Sequence, residues 1–76
     1  MDKIQKFLAK LAQKDRERID KTIVFIIARA WLGLDIKKLA ANHWRVRVGS
    51  FRIKFYLNPE DKVIIYDIQR RGDHTY

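Results

Sequence analysis

The chain has 76 residues and carries 17 lysine and arginine residues against nine aspartate and glutamate residues, a formal net charge of +8. This length predicts one small domain, 1–76, and the lack of cysteine excludes disulfide scaffolds, thiolate zinc sites and sulfur redox chemistry. The apolar run TIVFIIARAWLGL contains an arginine and is shorter than the ~20 residues that span a bilayer, so we expect a cytoplasmic protein without a membrane segment.

The first part of the chain has the apolar spacing of two helices. A first helix is predicted from a cap at Asp2 to near Ala12, and a second from a cap at Asp15 to around Gly33. The β-branched run TIVFII would also suit a buried strand, but the charged lead-in DRERIDK favours a helix. A helical hairpin is therefore expected. Its predicted apolar members are Ile4, Phe7, Leu8, Leu11, Ile19, Ile23, Ile26, Ile27 and Ala30.

A polar link, LDIKKLAAN, then leads into two segments, 43–48 and 51–56, in which apolar and polar residues alternate. This period of two predicts two half-buried strands. Gly49-Ser50 between them suits a two-residue type II′ turn with glycine first. Such a turn fixes the register, with Val48 opposite Phe51 and Trp44 opposite Phe55, so that one face of the hairpin is apolar.

The other face of this hairpin is predicted to be cationic, with Arg47 opposite Arg52 and Arg45 opposite Lys54. Like charges directly opposite each other destabilise a sheet by roughly 0.2–1 kcal/mol per pair. A bound anion would offset that cost, and phosphate suits best because guanidinium donates to it in a planar fork. The alternative is a solvated basic face softened by screening and by acids such as Asp67. A third strand, KVIIYDIQR, would place Asp67 near Arg52.

Other patterns in the sequence favour structural roles. Two histidines without cysteine or HxxxH spacing make a poor metal site, and there is no glycine-rich phosphate loop, so we expect neither a metal nor a cofactor. Trp31 and Trp44 fall on predicted apolar faces, which favours core anchors over base-stacking platforms. For His43, the simplest interpretation is a rim residue without a role.

The helical hairpin, LDIKKL, WRVRVGSFRIKFY and the closing QRRGDHTY together resemble the RelE/ParE family of toxins from type II toxin–antitoxin pairs. In that family the strand hairpin tends to read Tyr-Arg-Leu-Arg-Val-Gly-Asp-Tyr-Arg-Val-Ile-Tyr. The resemblance implies an α+β fold, with an N-terminal helical hairpin packed on a small twisted antiparallel sheet of about three strands. The family's usual N-terminal strand has no counterpart here, and the open sheet edge would offer a route to dimerisation or partner docking.

The resemblance also implies an activity, because members of the RelE branch are ribosome-dependent mRNA endoribonucleases. Their site combines strand cations, an arginine after the turn, a C-terminal arginine and a terminal tyrosine. The matching catalytic candidates here are Arg45, Arg47, Arg52, Arg70 or Arg71, and Tyr76. The spacing to the terminal tyrosine fits either C-terminal arginine. Lys54 shares the predicted cationic face by alternation, and His43 and His74 are further RNA-binding candidates.

Such a site would cleave RNA by attack of a 2′-hydroxyl on the neighbouring phosphodiester. Fixed cations suit the charge that develops on the phosphate oxygens. Arginine effectively never deprotonates, so the base must be another residue. Tyr76 could serve if neighbouring cations favour its ionised form, and His74 is the other candidate because unperturbed imidazole titrates near pH ~6.5.

The partners that the resemblance implies are mRNA on the ribosome and a cognate acidic antitoxin. The antitoxin would be a helical or partly disordered segment over the groove or sheet face, complementing the net charge of +8. The alternative function is that of the ParE branch, whose non-enzymatic members poison DNA gyrase. An inactive member of the family is a third reading.

Overall fold

The computed structural model of the chain describes residues 3–70, and in them two helices precede an antiparallel sheet. The sheet has four strands in the order β1-β2-β3-β4, each paired with its neighbour along the chain. The predicted α+β class is confirmed, with one strand more than the three or so expected. The elements are α1 (Lys3–Ala9), α2 (Gln13–Ile27), β1 (Asp35–Ala40), β2 (His43–Val48), β3 (Phe51–Leu57) and β4 (Val63–Arg70).

The additional strand is β1, and it corrects the prediction that LDIKKLAAN is a polar link. This segment pairs with β2, with Asp35 opposite Arg47. It lies at the edge of the sheet, and Ile36 is its one side chain that is not exposed. A strand with a single inward side chain lacks the alternation that reveals strands in a sequence, and adjacent lysines are typical of a protected edge.

The two helices are shorter than predicted. α1 ends at Ala9 instead of Ala12, and α2 begins after Ala12, so Asp15 lies inside the first turn and is not the cap. The N-cap residue of α2 is Ala12, which makes no capping hydrogen bond through its side chain. The predicted cap of the first helix, Asp2, lies outside the described residues.

The C-terminus of α2 also differs from the prediction, because the helix ends at Ile27 and not near Gly33. Arg29 takes a left-handed conformation with φ of 63°. The N–H groups of Arg29 and Ala30 donate to carbonyls of the last turn at 3.1 and 2.9 Å, which is the Schellman pattern. Glycine usually marks this position in a sequence. Here an arginine occupies it and forms an ion pair with Asp61 at 3.5 Å.

The hydrophobic core lies between the helices and one face of the sheet. Its buried members are Ile19, Ile26, Val46, Phe51, Ile53, Phe55 and Ile68. The predicted apolar residues Ile4, Phe7, Leu8 and Leu11 pack against it, as do Ile23, Trp31 and Trp44, so the tryptophans anchor the core as predicted. Ile27 is 58% exposed and Ala30 lies beyond the helix, so these two predicted members of the apolar face are wrong.

The central hairpin of β2 and β3 has the predicted register at every pair from Val48–Phe51 to Trp44–Phe55. Gly49 has a φ of 56°, as the first residue of a primed turn requires. Since its apolar side chains point to the helices, its charged side chains point away from them. Neither helix of residues 3–70 is long and apolar enough to cross a membrane.

Candidate nucleic-acid interface

Basic side chains from three strands share the sheet face that is turned away from the helices. We call this set the cationic face: Lys37 from β1, Arg45 and Arg47 from β2, and Arg52 and Lys54 from β3. Alternation puts them there because the buried residues Val46 and Ile53 lie between them in sequence and point to the core.

The cationic face contains three cross-strand pairs of like charge. Arg47 opposes Arg52 and Arg45 opposes Lys54, as predicted. Lys37 also opposes Arg45, so one row of three cations crosses β1, β2 and β3. Each such pair costs roughly 0.2–1 kcal/mol, which makes the face electrostatically unfavourable in the free protein.

Asp67 lies at the β4 end of this row, opposite Lys54 and two residues along β3 from Arg52, near which the sequence predicted it. Gln69 opposes Arg52 instead. The observed pairing of β3 with β4 differs from the simple hairpin by two residues. One residue is added because β4 begins at Val63 and not at Lys62, and the other by the irregularity that follows Lys54. The carboxylate of Asp67 is 3.6 Å from the ammonium group of Lys3 on α1. Asp67 therefore forms an ion pair with the helix and does not serve the row of cations alone.

Three arginine donors on the cationic face lack hydrogen-bond partners. Arg45 Nη1, Arg47 Nε and Arg52 Nε are buried from solvent and unpaired among residues 3–70. Asp35 Oδ2 lies 3.8 Å from Arg47 Nε, an ion-pair distance that is too long for a hydrogen bond. A buried donor without an acceptor costs about 1–3 kcal/mol. Phosphate oxygens bound across the face would supply such acceptors.

One end of the cationic face carries three aromatic rings. His43 stacks on Tyr56, with ring centroids 5.4 Å apart and planes 21° apart. Tyr66 of β4 lies 5.7 Å from the His43 ring and 5.8 Å from the Tyr56 ring. Of these only His43 was a sequence candidate. Strand alternation could have indicated Tyr56, but nothing in the sequence indicated Tyr66 or Lys37.

Arg70, the one C-terminal candidate that the structure describes, does not lie on the cationic face. Arg70 opposes Phe51, and its guanidinium carbon lies 4.9 Å from the Phe51 ring centroid. Phe51 belongs to the core, so Arg70 lies on the side of the helices. Arg71, His74 and Tyr76 lie outside the described residues.

A comparison of the chain with protein-family models, curated proteins and solved structures gives no match. The RelE/ParE resemblance therefore stays a prediction that rests on the sequence motifs. Within residues 3–70, no three histidine, aspartate or glutamate side chains come together in a way that could hold a metal ion.

Proposed function

We propose that this protein is the toxin of a type II toxin–antitoxin pair, of RelE/ParE type, and that it cleaves mRNA on the ribosome. The observation that carries the proposal is the cationic face, where like charges oppose one another and three buried arginine donors lack partners among residues 3–70. Folding alone does not favour this arrangement, whereas a bound chain of phosphates would stabilise it. Translated mRNA as the particular polyanion comes from the family resemblance.

The proposed reaction is attack of a ribose 2′-oxygen on the adjacent phosphorus. The O2′–P bond forms as the P–O5′ bond breaks, leaving a 2′,3′-cyclic phosphate and a 5′-hydroxyl. A base takes the 2′ proton, and an acid protonates the departing 5′-oxygen. Arg45, Arg47 and Arg52 stabilise the charge on the non-bridging oxygens. Tyr76 and His74 are the candidates for proton transfer.

For the C-terminal arginine of the site we propose Arg71 in preference to Arg70. The guanidinium group of Arg70 contacts the Phe51 ring on the helix side of the sheet. From that side it cannot share a phosphate with the cationic face. Sequence spacing alone fits either arginine.

A non-enzymatic toxin of the ParE type, which would act on DNA gyrase, is the second candidate. The composition of the described cationic face favours it. Among residues 3–70 this face offers lysines and arginines, with His43 as the one imidazole beside them. A face of this kind binds anions well and moves protons poorly. An inactive family member would have the same face.

For the partner we propose a cognate acidic antitoxin in the cytoplasm. The net charge of +8 and the like-charge rows support a partner whose carboxylates lie over the cationic face. Such a partner would cover the surface proposed to bind RNA, which gives a direct means of inhibition.

We predict that induced expression of the wild-type chain in bacteria stops growth and produces cuts within translated mRNA, mapped by primer extension. Arg71→Ala is expected to abolish the cuts, because the site loses one phosphate-stabilising cation. Arg70→Ala, the matched control one residue away, is expected to keep them.

Growth arrest with intact mRNA would contradict the nuclease and favour the gyrase-binding candidate, which predicts DNA damage. Loss of the cuts in Arg70→Ala but not in Arg71→Ala, with both proteins present at equal levels, would reverse the assignment of the arginine.

A further inference from the structure

The aromatic rings of His43, Tyr56 and Tyr66 form a cluster next to the cationic face; we call it the ring platform. All three ring centroids lie within 5.8 Å of one another. His43 is two residues before Arg45 on β2, and Tyr56 is two residues after Lys54 on β3. Side chains two residues apart share a face and stand about 7 Å apart along the strand. The platform is thus the next row of the same surface.

Tyr66 reaches this surface because of a β-bulge in β4. Lys54 pairs with Asp67, whereas the next residue of β3, Phe55, pairs with Ile65. Tyr66 is therefore the extra residue of the strand. Strict alternation from the buried Ile68 would point Tyr66 to the core. A bulge re-aims a side chain, and here it delivers a third ring beside the row of cations.

The rings also differ in exposure. Tyr66 is 39% exposed, whereas His43 and Tyr56 are half-buried. Cross-strand aromatic pairs stabilise a sheet, which accounts for the stack of His43 on Tyr56. It does not account for a bulge that exposes a large ring. An open aromatic face beside cations is the arrangement that binds single-stranded nucleic acid, since bases stack on the ring while the backbone follows the charges.

We propose that the ring platform binds an unpaired base of RNA, with Tyr66 as the stacking residue, while the adjoining phosphates lie on the cationic face. The inference rests on the proposed function, to which it adds a site for the base and a preference for single-stranded substrate. Stacking of one base is expected to raise affinity about 5- to 150-fold over a backbone without bases.

The test uses fluorescence anisotropy with the full chain and two labelled 2′-O-methyl hexamers, which lack the attacking hydroxyl. One is hexauridylate and the other is an abasic strand of equal length and charge. The wild type is expected to bind the uridine strand at least 5-fold more tightly. Tyr66→Leu, which keeps bulk but has no π-face, is expected to bind both strands equally, at the wild-type affinity for the abasic strand. Tyr66→Phe is expected to keep the preference.

The outcomes separate this inference from the proposed function. Equal binding of the two strands by the wild type overturns the ring platform and leaves the cationic face as an RNA site. An undiminished preference in a folded Tyr66→Leu variant, checked by its thermal midpoint, overturns the role of Tyr66. Binding of neither strand overturns RNA binding by the isolated cationic face, and the ring platform with it.

Discussion

Replacing Arg47 and Arg52 together with threonine is expected to weaken RNA binding by at least about 100-fold and at the same time to stabilise the fold. The loss of affinity follows from two charge-assisted hydrogen bonds to phosphate, each worth about 1.5–3 kcal/mol. Anisotropy with a labelled single-stranded RNA at fixed salt measures it. The slope of log affinity against log salt should also become shallower by about 1.4, since each neutralised phosphate of a single strand contributes about 0.7.

The gain in stability has a separate physical cause. The double substitution removes a like-charge pair and two buried Nε donors without partners. Threonine favours strands, while the lost ion pair of Arg47 with Asp35 is weak because its carboxylate side is largely exposed. We expect a net increase of about 1 kcal/mol in the free energy of unfolding, which raises the thermal midpoint by about 4–8 °C.

A charge-matched control separates this prediction from general basicity. Lys14 and Lys21 are exposed on α2, away from the sheet face, and replacing both with glutamine lowers the net charge by the same two units. This variant should lose only a few-fold in RNA affinity through the long-range field. Equal losses in the two double variants would mean that RNA binding follows net charge and not the cationic face.

The second large effect is expected in the core, where Phe55→Ala should lower the free energy of unfolding by about 3–5 kcal/mol. Phe55 is fully buried at the centre of the sheet, with ring centroids 5.4 Å from Trp31 and 5.7 Å from Trp44. The total free energy of unfolding of a domain of this size is about 4–11 kcal/mol, at roughly 0.05–0.15 kcal/mol per residue. Circular dichroism should show a midpoint at least about 15 °C lower, or no folded baseline at 37 °C.

Phe25→Ala is the matched control for this substitution. Phe25 lies on α2 and is 43% exposed, so its truncation leaves no enclosed cavity and should cost less than about 1 kcal/mol. A melting curve of Phe55→Ala that overlies the wild type, or equal destabilisation by both changes, would contradict the placement of the core.

The parts of the fold that could be predicted are those where the sequence repeats a physical signal. Alternation over β2 and β3, with glycine at the turn, determines which residues oppose each other, so the pairs Arg47–Arg52 and Arg45–Lys54 were predictable. Strand β1 was not, because Lys37 and Lys38 interrupt the alternation and its pairing depends on the neighbouring strand.

The end of α2 and the ring platform illustrate two further limits of sequence reasoning. A left-handed arginine, supported by its ion pair with Asp61, ends the helix without the glycine that usually signals this. The bulge at Tyr66 shifts the alternation of β4, so that Ile65 packs against the core and Tyr66 does not, and such a shift arises from how two strands pair and not from either strand alone. The basic half of the candidate site was thus predictable, and most of its aromatic half was not.

The most direct test of the central claim is cleavage of mRNA on programmed ribosomes by the purified wild-type chain. We predict a cut within the codon that lies in the vacant tRNA-binding site of the ribosome, with a 2′,3′-cyclic phosphate at the new end. We predict no cut in an mRNA that carries a 2′-O-methyl group in place of the attacking 2′-hydroxyl. The stable Arg47→Thr/Arg52→Thr variant should leave both mRNAs intact. Intact mRNA with the wild-type chain, or cleavage that persists with the 2′-O-methyl group in place, would contradict the claim that this protein cleaves mRNA through the 2′-hydroxyl.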